Sequence, residues 1–216
     1  MDINKEIENG SVYLLLQYVL TEKGLALAAM PKGLIPFHKY GETVRTPFQE
    51  HLIEAAEYVK DGCGTALLHF TVPSEYYEEI KDHLERKAAE IQSKSGIKFE
   101  ISLSTQKTST DTIAVNPDDT PYTDKNGNIF FRPGGHGALL ENIQETGGDI
   151  LYIKNIDNVA PDRLKDDTFL YKKLLGGYFV DADRKIKSFL RKAESGSANE
   201  NDVSEITEFA KNRLNI

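Results

Sequence analysis

Tryptophan is absent from the 216 residues, methionine occurs twice and cysteine once. A single thiol, Cys63, excludes an internal disulfide and any thiolate cluster, and its neighbours Gly62 and Gly64 mark it as part of a turn. The five histidines are scattered, with no i, i+4 pair of the kind that a zinc-binding helix presents. No apolar run reaches the length of a membrane span, so no membrane partner is expected. The opening residues, Met1-Asp2-Ile3-Asn4-Lys5-Glu6, lack the basic and apolar regions of a secretion signal, which places the chain in the cytoplasm. Positive charge is also short: 26 Lys and Arg stand against 34 Asp and Glu, a formal net charge of -8. That surplus repels a phosphate backbone, so no nucleic-acid partner is expected.

What remains, 39% hydrophobic and 28% charged, has the balance of a folded globular domain and enough chain to bury a core. Val12, Leu15, Leu16 and Val19 predict a short amphipathic helix over 11–22. Thr46-Pro47-Phe48-Gln49 combines an N-cap, a first-turn proline and a capping-box glutamine, and Phe48, Leu52, Ala55, Ala56 and Val59 give the following helix an apolar face. A strand over 65–72, a charged helix over 74–94 and a strand over 97–103 come next. Helix, strand, helix and strand with short connections predict crossover units and a mixed, mostly parallel sheet flanked by helices. Residues 106–132 loosen into polar, proline-containing sequence with a turn at Asn126-Gly127. Helical character returns after Gly137, a strand is expected over 149–154, and a long helix is expected over about 162–192, either whole or broken in two at Gly176-Gly177. The domain is thus expected over 1–193, followed over 194–216 by a flexible spacer and a short helix.

Four places carry candidate chemistry. Arg132-Pro133-Gly134-Gly135-His136-Gly137 sets three glycines before a helix, where the backbone can approach a ligand closely and free amides attract anions; a tight turn fits the same pattern. Asp157 follows an apolar segment, a position that suits a magnesium ligand or an Asx turn. Lys32, with Lys39 and Arg45 behind it, can neutralise a polyphosphate or simply be solvated. Gln106 ends a strand with an amide that both donates and accepts, as reading a base edge requires.

Pro31-Lys32, Gln106, Gly134 to Leu139 and Ile156-Asp157-Asn158 occur in the order of the motifs of the UDP-sugar pyrophosphorylases, which they resemble. More closely, Pro31 to Arg45, His69-Phe70-Thr71-Val72, Ser109 to Val115, Phe131 to Leu140 and Ile153 to Lys165 look like the bacterial family DUF4301. The resemblance implies a Rossmann-like nucleotidyltransferase fold that binds a nucleoside triphosphate or nucleotide-sugar and a sugar 1-phosphate with Mg2+. It puts Lys32 on the nucleotide phosphates, Asp157 on the magnesium, and Gln106, Gly134, Gly135, His136, Gly137 and Arg45 on the substrate. In such enzymes a sugar 1-phosphate oxygen attacks the α-phosphate of UTP and pyrophosphate leaves. The departure lies before Lys32, where Gly10 and Gly24 stand in place of the glycine-rich phosphate loop. The expectation is therefore an incomplete fold, the central part of a longer chain or one partner of a homodimer. Three further readings stay open: a noncatalytic nucleotide-sugar module, a structural fragment completed by another chain, and a glycosyltransferase of related architecture.

Overall fold

The computed structural model describes residues 3–216, and the chain divides into two compact units, Met1–Pro161 and Asp162–Ile216. The first unit opens with helices α1 (Ile3–Glu8) and α2 (Val12–Leu20), then a hairpin of strands β1 (His38–Tyr40) and β2 (Thr43–Arg45). Helix α2 forms where its apolar spacing predicts it, yet buries none of its residues. Next come helix α3 (Pro47–Tyr58), strand β3 (Thr65–Thr71), helix α4 (Tyr77–Ser95) and strand β4 (Lys98–Ser104). Strands β5 (Thr112–Ile113) and β6 (Phe131–Arg132) and helix α5 (Leu140–Glu145) follow. The second unit consists of helix α6 (Asp162–Glu194) and helix α7 (Glu200–Phe209), ending in a π-helical turn over Ala210–Leu214.

Helix α3 starts where the capping box places it: Gln49 N–H donates to Thr46 Oγ1 at 3.4 Å and Thr46 N–H donates to Gln49 Oε1 at 3.2 Å. Helix α4 ends at Gly96, whose φ of +72° closes the helix in the left-handed region. Between them, β3 and β4 pair in parallel from Thr65↔Lys98 to Thr71↔Ser104, so β3, α4 and β4 form the expected crossover unit. Both helices lie against the core. Phe48, Leu52, Val72, Ile80, Leu84 and Ala88 are buried, and Leu68, Phe70, Phe99, Ile101, Leu103 and Ile156 pack on them.

The architecture is mixed α/β, but the expected mostly parallel sheet is corrected. Among the described residues the strands form three separate two-stranded sheets, and β1–β2 and β5–β6 are antiparallel. Two segments account for this. Residues 112–132 fold back on themselves through the bridges Val115↔Pro121 and Thr123↔Ile129, with Gly127 at φ +82° in the predicted turn. Residues 149–154, expected as a strand, form no strand, and Ile150, Leu151 and Ile153 stay exposed. A strand exists only where a neighbour takes up its backbone groups.

Helix α6 runs unbroken through Gly176-Gly177, the first of the two alternatives. Two glycines cost about 2 kcal/mol relative to alanine, which a helix of this length absorbs through cooperative propagation. Its Ala182 and Phe189 pack on Phe209 of α7, and Lys192 pairs with Asp202. Among the described residues no helix is long and apolar enough to cross a membrane.

Candidate functional site

Lys32 and Asp157, 125 positions apart, meet: Lys32 Nζ donates to Asp157 Oδ2 at 3.1 Å. Each is aimed by helix α3. Lys32 opens a 3-10 turn, Lys32–Leu34, whose Gly33 is buried so closely that a Cβ there would stand 2.3 Å from the Phe48 ring. Asp157 lies in a turn closed by Asn158 N–H donating to Asn155 C=O at 3.0 Å. The preceding residue packs its side chain in the core, and the Ile156 carbonyl accepts from His51 Nε2–H at 3.0 Å. Because a carbonyl only accepts, His51 carries its proton on Nε2. Burial holds its pKa below the ordinary histidine value, with the Lys154 ammonium adding to the shift. One turn along, the fully buried Glu54 pairs with Lys154 and accepts from Tyr58 Oη–H at 3.2 Å and Ala160 N–H at 3.4 Å. The segment carrying Asp157 is therefore fastened to α3 at Lys154, Ile156 and Ala160.

The Asp157 pair itself is exposed, with side chains 72% and 47% accessible for Lys32 and Asp157. The hydrogen bond from Lys32 holds the Asp157 carboxyl below the usual carboxylate range. Among the described residues no group of three or more His, Cys, Asp and Glu converges to hold a metal. A single carboxylate is nevertheless what magnesium uses when waters and substrate phosphates complete its shell, so Asp157 fits that ion in the presence of a phosphate ligand.

Gln106 and the glycine loop form a second constellation, beyond the carboxyl end of β4. Gln106 Nε2 donates to Asp111 Oδ1 at 3.4 Å. A Cβ on Gly134 would lie 2.8 Å from Thr110 O and 3.6 Å from Gln106 Nε2, so the loop folds directly onto the Gln106 segment. Gly135 and Gly137 differ: neither has a positive φ, and a Cβ on either would meet nothing within 4 Å. His136 begins a 3-10 turn that leads into α5. Lys107 ties this region to α5 through Glu141, at 3.2 Å, and Glu145.

Arg45 ends strand β2. Its guanidinium lies 3.6 Å from the buried Glu50 Oε2 and 4.1 Å from the centre of the Tyr40 ring. Glu50 also accepts from Tyr40 Oη–H at 2.8 Å and lies 3.1 Å from His38 Nδ1, so Arg45 serves the packing of the β1–β2 hairpin on α3. Glu50, His51 and Glu54 were not among the residues singled out by spacing. Glu50 and Glu54 lie away from the apolar stripe of α3, where a sequence pattern reads solvent, and His51 borders that stripe, where a pattern reads core.

A shallow cavity of about 90 Å³ between α4 and β4, lined by Tyr77, Leu84, Glu85 and Ile101 among others, contains none of these groups. It falls well short of the roughly 300 Å³ at which small-molecule pockets begin. Both constellations instead neighbour the carboxyl ends of the parallel strands, since the His51 ring meets the edge of Phe70, the penultimate residue of β3, at 6.1 Å. Fold and site together define a mixed α/β protein with a cation–carboxylate pair and an open glycine loop at the strand ends. The chain belongs to the family described as Domain of unknown function (DUF4301), whose model matches residues 1–216. No curated protein and no solved structure matches it.

Proposed function

We propose that the Met1–Pro161 unit is a Rossmann-like, nucleotidyltransferase-type domain that binds UTP or a nucleotide-sugar with Mg2+. The observation that carries this reading is the pairing of Lys32 with Asp157 across 125 positions, on turns that α3 holds from both sides. Asp157 would hold the ion by its carboxylate, and Lys32 would turn from that carboxylate to the phosphates of the bound nucleotide. Gln106 meets the base edge, and the backbone at Gly135 and Gly137, uncrowded on its Cβ side, admits the base or ribose. In nucleotidyl transfer, a sugar 1-phosphate oxygen forms a bond to the α-phosphorus of UTP while the bond to pyrophosphate breaks. Magnesium supplies charge neutralisation there, and this chain's residues supply position.

One observation favours a second reading, a binding module whose sheet another chain completes. Parallel sheets are ordinarily covered on both faces and extended by neighbours, whereas among the described residues β3 and β4 pair only with each other and leave Leu67 64% exposed.

Thermal unfolding with UTP, UDP-glucose and UDP-N-acetylglucosamine, with and without Mg2+, tests the proposal. Ligand at 100 times its Kd adds about 2.7 kcal/mol, a shift of several degrees. The expected result is a magnesium-dependent rise in Tm that Asp157→Asn removes and Gly135→Val reduces. A wild-type Tm unmoved by every nucleotide contradicts it.

A further inference from the structure

On the face of the β3–β4 sheet turned away from α3 and α4, His69 stands between two serines in a set of hydrogen bonds that admits a directed chain of protons. Ser102 Oγ donates to the Leu68 carbonyl at 3.4 Å, which can only accept. With its proton on that carbonyl, Ser102 Oγ accepts from His69 Nδ1–H, 2.7 Å away. A neutral imidazole with its proton on Nδ1 offers a lone pair at Nε2, and Ser104 Oγ lies 2.8 Å from it. The Ser104 proton thus points at His69 Nε2. Asn142 fixes the other side. Its Nδ2 donates to Ser104 Oγ and to the Thr105 carbonyl, both at 2.9 Å, and the second contact excludes the flipped amide. Asn142 is 2% exposed and its Oδ1 accepts no hydrogen bond. Burial keeps the imidazole neutral, and the nearby Glu145 carboxylate favours the imidazolium that would form on taking up a proton.

We propose that Ser104 is a nucleophile activated by His69 as general base, and that its substrates are uncharged carboxylic esters. An uncharged substrate follows from the surroundings. Ser102, Ser104, Thr71 and Asn142 are neutral, and Lys107 on the following loop is matched by two carboxylates, Glu141 and Glu145, which disfavours a phosphate. Ser104 Oγ forms a bond to the carbonyl carbon while its proton passes to His69 Nε2. The ester C–O bond then breaks and the leaving alkoxide takes that proton. Water attacks the acyl-serine, gives a proton to Nε2, and the acid departs as Ser104 recovers its proton. Thr71 Oγ1, at 3.2 Å, makes the longest of the contacts to Ser104 Oγ, and the lone pair it faces is the one that attack requires.

This assignment is independent of nucleotide binding and is tested by labelling the whole chain with a biotinylated fluorophosphonate. The probe phosphonylates an activated serine with loss of fluoride. The expected result is one adduct, mapped to Ser104, in folded protein but not in urea. His69→Gln slows labelling by about a hundredfold, the general-base contribution, while Thr71→Val keeps or raises the rate. Ser104→Ala removes the adduct; should that variant fail to fold, peptide mapping of the wild-type adduct decides alone. No adduct in the folded wild type, an adduct at another residue, or an unchanged rate in His69→Gln overturns the proposal.

Discussion

At Glu54 a fully buried carboxylate meets the Lys154 ammonium, the Tyr58 hydroxyl and the Ala160 amide, and burial with the neighbouring Glu54 charge pushes the Tyr58 pKa up. Removing one partner of such a pair strands the other in low dielectric. Glu54→Leu and Lys154→Met are each expected to cost about 3–5 kcal/mol, and the two combined less than either single change. Urea unfolding of the four proteins checks the cycle. Such residues are hard to read from sequence. Glu50 and Glu54 lie roughly half a turn from Phe48, Leu52 and Ala55, so helical periodicity assigns them to solvent. Contacts from the β1–β2 hairpin and from residues 154–160, far away in sequence, bury them instead. Lys32 and Asp157 were legible as chemistry because their residue types and flanking turns are suggestive. That they touch was not, since the contact depends on two separate packings against α3.

Among the elements, those with their own start and stop signals appear where the sequence predicts them. Thr46, Pro47 and Gln49 begin α3, Gly96 ends α4, and Asn126-Gly127 turns the 112–132 segment. Elements that need a distant partner were not legible. Residues 149–154 have a strand's composition but no neighbour to pair with, and no local pattern contains that information. The turn carrying Lys32 depends on close packing at Gly33. Gly33→Ala puts a methyl into the Phe48 ring and is expected to destabilise the first unit by about 1–3 kcal/mol. It should also weaken nucleotide binding, because Lys32 is displaced with the turn. Chemical denaturation gives the first effect and a UTP titration of the folded variant the second. Unchanged values for both would show that the turn has room to relax.

For the molecule as a whole, stability should depend on pH through histidines that folding keeps neutral. Burial lowers the pKa values of His51, His69 and His83 below the unfolded value of 6.5, so below that pH the unfolded chain binds more protons than the folded one. Stability therefore falls as pH drops through 6.5 and stops falling below the folded values. Unfolding free energies at pH 7.5, 6.5 and 5.5 should decline in that order, and His51→Gln should flatten the slope. A profile level across this range would mean that these rings are solvated. The division into two units also bears on function, since Lys32, Gln106, the glycine loop and Asp157 all belong to Met1–Pro161. The nucleotide proposal accordingly concerns that unit.

Calorimetric titration of UTP into the whole chain, with and without Mg2+, tests the central claim most directly when wild type is compared with Asp157→Asn and Lys32→Ala. The account predicts wild-type binding that requires magnesium, no magnesium effect in Asp157→Asn, and at least a tenfold higher Kd in Lys32→Ala, a loss of about 1.4 kcal/mol in binding free energy. Wild-type protein that gives no binding heat at any UTP concentration, or three proteins with the same Kd, would contradict it.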